Sequence, residues 1–428
     1  MKTQRRSQPL TLALALMFLT FSLGMRTEAQ TENLLFSFGD NSGGYAPATL
    51  ASDSAGNLYG TGGAGNGMVY KMTLTAGVWG EKAIHFFSGG VDGADPSSSV
   101  LFDADGNLYG TTTFGGKSAA CPTSGCSGVV FELSPTVSGP WKFTALHTFI
   151  GGADGASPIG IVFDAAGNIF GMTQTGGSTA GVCANDSGCG TVFKLSPKSG
   201  GGWQYSLIHT FSATDGLLPQ GNLLVDSSGN LYGSTTFGGN ANYCKSDNFG
   251  GCGVVFRLAP TVKGGYGIAL LHRFINGADG SLPSTPLVFD GAGNLYGATG
   301  NGGASNPYGT VFELSPTVGG AWTFAALYSP TGGTDGESTN GGLAIDSAGN
   351  LYGSSIFGGN PECNCGTVFK LAPGAGGWTV DLLHDFGGGF SDGFYPAGNL
   401  VVNSSGDLYG VTFQGGAYEG GTLYEIAP

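Results

Sequence analysis

Charged side chains are scarce in this 428-residue sequence, and basic ones are the scarcest. Asp, Glu, Lys and Arg make up only 10% of the chain, against a usual share of about 25%. With 29 acids and 15 bases the formal net charge is −14, which disfavours nucleic acids and anionic membranes as partners. Because 40% of the residues are apolar, disorder caused by excess charge is also excluded.

Long hydrophobic runs are absent except for Leu10–Leu23, which three basic residues precede. The run is too short to span a membrane, and small residues follow it at a possible cleavage site. We therefore predict a signal peptide over residues 1–29, cleaved after Ala29, and a single exported domain over residues 30–428. Cleavage would change the net charge from −14 to −17 by removing four bases and one acid. We expect a protein of the periplasm or the medium that is not inserted in a membrane.

Glycine, by contrast, is abundant, with 83 residues, or about 19% where 7% is usual. The glycines do not fall at every third position, so collagen is excluded. Some of them belong to a sequence motif close to Asp-x-x-Gly-Asn-Leu-Tyr-Gly, and this motif recurs at intervals of 50 to 64 residues. The copies begin at Asp53, Asp103, Asp164, Asp226, Asp290, Asp346 and Asn403.

Each repeat is typical of four short antiparallel strands. In the fourth repeat we predict them at Asn222–Asp226, Leu231–Thr235, Gly253–Pro260 and Tyr266–Phe274. Seven such units indicate an all-β fold, a seven-bladed β-propeller of four-stranded blades. A β-solenoid is the alternative, but its repeats are usually shorter.

The two ends of the chain predict how the ring closes. The last repeat, Asn399–Pro428, stops after its third strand, and an extra strand, Leu34–Phe38, precedes the first repeat. This extra strand matches fourth strands such as Leu207–Phe211. We expect it to complete the seventh blade and so hide the open edges of the ring.

Three recurring motifs carry a family resemblance. Val-Phe-x-Leu-x-Pro occurs at Val192–Pro197, Asp-Gly-x-x-Pro at Asp215–Pro219, and Gly-Asn-Leu-Tyr-Gly-x-Thr-x-x-Gly-Gly at Gly229–Gly239. With these motifs the exported part resembles the bacterial GloVer tandem-repeat family throughout its length. The resemblance implies export and fold but no chemistry. Some members carry a C-terminal sorting anchor, and we expect none here.

All eight cysteines lie in the exported part, which favours disulfides. Eight cysteines allow 105 connectivities, but proximity predicts four local pairs, each within the loop between the second and third strands of one repeat. Zinc needs four convergent ligands, and these pairs lie on different blades, so we expect no metal there. The predicted pairs are Cys121–Cys126, Cys183–Cys189, Cys244–Cys252 and Cys363–Cys365.

Histidine and tryptophan occupy fixed positions in the fourth strand. Tyr328 and Phe36 replace histidine in two copies, which indicates a packing position and not a catalytic or metal site. Each Trp stands six residues before the histidine position, and this even spacing predicts that both side chains share one face of the strand. We predict blade-to-blade packing for Trp, with sugar stacking as the alternative. The residues are His85, His147, His209, His272, His384, Trp79, Trp141, Trp203, Trp322 and Trp378.

Two aspartates recur in six of the seven repeats. The first, such as Asp53, is expected to cap its own turn. The second lies in the loop between blades, on the face that the cysteine loops share, and variable loops on a rigid scaffold favour this face for function. Turn capping is the favoured role here too, with calcium or a cationic ligand as the alternative and no other cofactor expected. The second set is Asp92, Asp154, Asp215, Asp279, Asp335 and Asp392.

Three phenylalanines, Phe114, Phe237 and Phe357, precede a Gly-Gly pair in the same loops. Thr175 and Asn301 are among the residues at the matching positions, so this is not an obligatory core position. Local packing is the favoured interpretation. The alternative is a stacking platform for glycans or apolar partners.

No Gly-x-Ser-x-Gly elbow stands out, and no histidine departs from the repeat. An enzyme would have to use carboxylates that break the repeat. We predict a monomeric, non-catalytic binding propeller for a polysaccharide or an extracellular protein. A carbohydrate-active hydrolase or lyase is the alternative, and a purely structural surface protein is a third hypothesis. The candidate acids are Asp95, Asp186, Asp247, Glu337, Glu362 and Glu419.

Overall fold

Seven four-stranded antiparallel sheets form a ring, which confirms the β-propeller. The computed structural model describes residues 32–427 except for 40–46, 48, 64, 97, 120, 122–125, 245–249, 305–307, 340 and 390. The predicted signal peptide lies outside the described residues. None of the helical turns within them is long and apolar enough to cross a membrane.

The strands follow the repeat, with the first strand of each blade beside the central channel and the fourth at the outside. Blade 1 comprises Thr49–Ser52, Leu58–Gly62, Met68–Thr75 and Val78–Phe86; blade 2 Leu101–Phe102, Leu108–Thr112, Val129–Ser134 and Lys142–Thr148; blade 3 Ala156–Phe163, Ile169–Thr175, Thr191–Pro197 and Trp203–Thr210; blade 4 Leu217–Val225, Leu231–Phe237, Val254–Pro260 and Tyr266–Arg273. Blade 5 comprises Ser281–Pro283 with Val288–Phe289, Leu295–Asn301, Thr310–Pro316 and Trp322–Tyr328; blade 6 Ala344–Ile345, Leu351–Ser355, Thr367–Gly374 and Gly377–Asp385; blade 7 Gly393–Val402, Leu408–Gly415, Thr422–Ile426 and Glu32–Ser37. Two short 3-10 turns cover Gly152–Asp154 and Gly181–Asp186.

The N-terminal strand closes the ring. Glu32–Ser37 pairs in antiparallel register with Thr422–Ile426, and Leu34 lies opposite Tyr424. The predicted closure is therefore confirmed. Each seam between neighbouring blades holds one buried apolar cluster, seven in the described part of the chain.

The tryptophans lie at these seams, as predicted. Four of the five pack edge-on against the tyrosine of the Leu-Tyr-Gly segment in the preceding blade, with ring centroids 5.9–6.4 Å apart. A Trp therefore contributes apolar contact area between two blades. The pairs are Trp79–Tyr409, Trp203–Tyr109, Trp322–Tyr232 and Trp378–Tyr296.

The histidines do not share a face with the tryptophans, so that prediction is wrong. The register of the fourth strand of blade 1 shifts between Ala83 and His85, which leaves Ile84 as an extra residue. Such a bulge interrupts the alternation of side chains. His85 consequently stacks on Phe143 of the following blade, whereas Trp79 faces the preceding one.

The first turn of each of blades 1 to 6 is built on its aspartate. In blade 1, Oδ1 of Asp53 accepts hydrogen bonds from the backbone N–H groups of Ala55 and Asn57, both at 2.9 Å. Oδ2 accepts from Nδ2 of Asn57 at 2.7 Å and from the Tyr59 hydroxyl at 3.1 Å. The same contacts recur in blades 2, 4, 5 and 6, which confirms turn capping.

Acidification is expected to weaken these turns. Burial alone would raise the pKa of Asp290, but hydrogen bonds from Asn294, Ala292 and Tyr296 lower it below its usual value. Such a carboxyl contributes stability above its unfolded pKa of about 4, and the contribution is lost as the pH falls through the folded value. We expect Asp290→Asn to be less stable than the parent at about pH 6, with the difference shrinking by about pH 3, in urea unfolding. A difference that is independent of pH would contradict this prediction.

Candidate functional site

The loops between blades and the loops between second and third strands share one face of the ring, as predicted. At blade 2, the backbone of Ala94 bridges to that of Phe114, and the N–H of Gly116 donates to the carbonyl of Gly90 at 2.8 Å. We call this side the loop face. The opposite face carries the aspartate turns and the turns between third and fourth strands.

Four disulfides staple the loop face. The cysteines pair as their spacing predicts, with Cα atoms 4.8–5.3 Å apart. Each bond closes a loop between the second and third strands of blade 2, 3, 4 or 6. The pairs are Cys121–Cys126, Cys183–Cys189, Cys244–Cys252 and Cys363–Cys365.

Sequence reasoning missed that the histidines and the second aspartates are partners. Nε2 of His147 lies 3.1 Å from Oδ1 of Asp154, and the N–H of Ile150 donates to Oδ2 of the same carboxylate at 3.0 Å. The carboxylate of Asp154 thus caps its loop and also fixes the position of the His147 imidazole in the preceding strand. The described residues contain five such pairs, which are His85–Asp92, His147–Asp154, His209–Asp215, His272–Asp279 and His384–Asp392.

Asp335 completes the ring of second aspartates without a histidine. Its carboxylate accepts hydrogen bonds from the backbone N–H of Thr331 at 2.9 Å and the Thr331 hydroxyl at 2.8 Å. The Tyr328 hydroxyl donates to the Asp335 backbone carbonyl at 2.7 Å. All six carboxylates are therefore engaged within the protein, as turn capping requires.

A central channel runs along the first strands. It has a cavity of about 300 Å³ to which all seven blades contribute. Oγ of Ser99 donates to Oδ1 of Asn399 at 3.2 Å, and Nδ2 of Asn399 donates to the Leu50 carbonyl at 3.0 Å. The lining offers amide and hydroxyl groups for hydrogen bonds. Its polar side chains are Ser98, Ser99, Gln174, Gln220, Asn222, Ser284, Asn399 and Thr49.

Exposed aromatic side chains gather on the loop face. Every Phe, Tyr or Trp that the structure describes as exposed stands at a strand end or in a loop of that face. The large exposed hydrophobic side chains of the opposite face, such as Val137, Val262 and Val318, are aliphatic. The aromatic set is Phe86, Phe114, Tyr243, Phe357, Phe413 and Tyr418.

Two of the three phenylalanines for which a stacking platform is the alternative to local packing belong to this set. Phe114 is 57% exposed and Phe357 is 38% exposed. Phe357 makes an edge-on contact with Tyr395 at 5.4 Å, and Tyr395 makes a similar contact with Phe394 at 5.3 Å. Phe237 instead is half-buried and packs against the core between blades 3 and 4, so local packing explains it. The composition of the repeat gave no signal for the other four exposed rings.

The acids that break the repeat are dispersed over the loop face. Asp95 lies at the entry to blade 2 and Glu337 at the entry to blade 6, whereas Glu362 and Glu419 lie in loops of blades 6 and 7. Asp247 and the side chain of Asp186 lie outside the described residues. None of the described four belongs to a cluster of three or more metal-ligating side chains.

Comparison with known proteins identifies a family and a fold. No curated protein matches the chain. The chain is similar to an ancestral GH74 enzyme (13% identity, TM-score 0.56, covering 90% of this chain and 48% of that one) and to a puromycin hydrolase (12%, 0.50, 86% and 50%). A putative 6-phosphogluconolactonase from Bacteroides uniformis is similar at 12% identity and TM-score 0.49, covering 86% of this chain and 89% of that one.

At these identities the likeness shows the fold alone. The chain spans about half the length of the GH74 enzyme and of the puromycin hydrolase. The model of the Gloeobacter/Verrucomicrobia repeat matches residues 20–246 and 244–428. The motif resemblance is therefore confirmed, and the chain belongs to the Gloeobacter/Verrucomicrobia repeat family.

Proposed function

We propose that this protein is an exported binding module that holds a neutral polysaccharide against its loop face without cleaving it. The observation that carries the proposal is the gathering of the exposed aromatic side chains on that one face. The C–H faces of sugar rings stack on flat apolar rings, and exposed apolar groups gathered on one face are typical of interaction sites. The propeller scaffold fixes the spacing of the rings.

Charge favours a neutral ligand over an anionic one. The net charge, −14 for the full sequence and −17 after cleavage of the predicted signal peptide, repels anionic polymers at long range. The channel at the centre of the ring contributes uncharged hydrogen-bonding groups such as Gln174, Gln220 and Asn222. Amides and hydroxyls of this kind match the hydroxyl groups of sugars as donors and acceptors.

Two features support export. The predicted signal peptide precedes the propeller, and four disulfides staple the described loops. Disulfides persist in oxidising compartments and are rare in the cytosol. We therefore place the binding function in the periplasm or the medium.

Removing three rings is expected to abolish most of the binding. Each ring contributes about 1 kcal/mol of stacking, so Phe114→Ala, Phe357→Ala and Tyr418→Ala together should weaken retention about 100-fold. The measurement is affinity electrophoresis of the oxidised protein through gels that contain a neutral β-glucan, xylan, mannan or α-glucan. The matched control combines Val137→Ala, Val262→Ala and Val318→Ala on the opposite face, and it should migrate like the parent.

Three outcomes would contradict the proposal. Unchanged retention of the aromatic variant would show that the polysaccharide does not bind through these rings of the loop face. New reducing or unsaturated ends in the incubated polysaccharide would show catalysis and direct attention to the acids that break the repeat. Retention by none of the gels would favour a protein partner or a structural role.

A further inference from the structure

The seam between blades 6 and 7 departs from the pattern of the other seams. At three other seams the histidine ring of one blade stacks on an aromatic residue that stands four positions before the matching site of the next blade. At this seam the corresponding residue is Glu32 of the ring-closing strand, and it faces His384. The regular stacked pairs, with centroids 4.2–5.2 Å apart, are His85–Phe143, His147–Tyr205 and His272–Phe324.

This exchange creates a cluster of three ligating side chains. One carboxylate oxygen each of Glu32 and Asp392 and one imidazole nitrogen of His384 lie within 4.8 Å of one another. Asp392 is held in place, because it accepts a hydrogen bond from the Gly387 N–H at 2.6 Å and lies 3.4 Å from Nε2 of His384. All three side chains are half-buried. Among the residues that the structure describes, no other three such ligand atoms lie this close together.

Two polar atoms beside the cluster have no hydrogen-bond partner. Oε1 of Glu32 is buried and unpaired, and so is the hydroxyl of Tyr424, whose side chain is fully buried. In five blades a phenylalanine occupies the place of Tyr424. Burial raises the pKa of Tyr424, and the charges of Glu32 and Asp392 raise it further.

The cluster also concentrates negative charge. A cation between these two half-buried carboxylates and the imidazole nitrogen offsets the cost of holding the carboxylates close together. The arrangement is thus suited to a bound cation.

We propose that Glu32, His384 and Asp392 bind a zinc ion. One imidazole nitrogen with two carboxylate oxygens is a donor set that suits zinc, whereas calcium and magnesium prefer oxygen ligands alone. Three protein ligands leave a fourth position for water. Since Glu32 belongs to the strand that closes the ring, the metal ties that strand to blade 6. Zinc binding therefore stabilises the closed propeller by linkage.

The test uses the purified, oxidised protein without a histidine tag, stripped of metal and titrated with zinc chloride in a calorimeter. We expect one zinc per chain and a rise in the unfolding temperature that a chelator reverses. Glu32→Gln should weaken binding at least about 10-fold. Glu81→Gln is the matched control, because Glu81 holds the same place in blade 1 but lies beside Phe36 instead of a histidine. Its zinc affinity should equal that of the parent.

Folding is checked separately, so that loss of binding is not confused with loss of structure. Without zinc, Glu32→Gln should keep the near-ultraviolet circular dichroism of the parent, and His384→Gln provides a second variant with the same expected loss of zinc affinity. Absence of zinc binding by the parent would overturn the proposal. Equal zinc affinity of Glu32→Gln and the parent, or equal affinity of the parent for calcium and zinc, would overturn it as well.

Discussion

Replacing Phe38 by alanine is expected to lower the free energy of unfolding by about 3–5 kcal/mol. Phe38 is 1% exposed and follows the strand that closes the ring. Its ring contacts Phe36 at 5.2 Å and Tyr70 at 5.4 Å, and its backbone N–H donates to the Gly421 carbonyl at 2.9 Å. The substitution leaves a cavity at the seam between blades 7 and 1. At this seam the ring is closed by the single strand Glu32–Ser37.

Urea unfolding followed by tryptophan fluorescence measures this effect. Phe86→Ala is the control, because Phe86 is 62% exposed, and its substitution should change stability by less than about 0.5 kcal/mol. A loss below about 1 kcal/mol for Phe38→Ala would mean that the seam collapses around the missing ring or that closure contributes little.

Gly297→Ala is expected to lower the free energy of unfolding by about 3 kcal/mol, although it adds a single methyl group. A Cβ atom at Gly297 would lie 2.5 Å from Cζ of Phe312 and 2.7 Å from Cδ2 of Leu287. Both neighbours are buried, so neither can move aside without disturbing the seam between blades 4 and 5. This contact explains why glycine follows Leu-Tyr in the repeat.

The control for this prediction is Gly291→Ala, since a Cβ atom there would meet nothing within 4 Å. Adding Phe312→Leu to Gly297→Ala makes room for the methyl group. The second substitution should therefore cost less in the Gly297→Ala background than in the parent. Equal costs in the two backgrounds would show that the methyl group and the ring do not collide.

Parts of the site were predictable because they depend on short spacings. The cysteine pairs and the aspartate turns each join residues that are close in sequence, so the repeat alone indicated them. The composition of the loop face was predictable because antiparallel strands alternate in direction, which places every second loop on the same side of the ring. The platform was only partly predictable, because Phe114, Phe237 and Phe357 share one sequence context but differ in exposure. Their exposure depends on what the neighbouring loops cover.

The sequence by itself determined the number of blades, the order of their strands and the way in which the ring closes, because each repeat carries its own turns and hydrophobic pattern. Only the tertiary structure decided which neighbouring blade each side chain of a fourth strand faces. A bulge beside His85 turns the histidines away from the tryptophans, and no spacing rule shows that extra residue. Ring closure then brings Glu32 from one end of the chain to His384 and Asp392 near the other. Such a contact depends on the whole ring, which is why local sequence patterns could not show it.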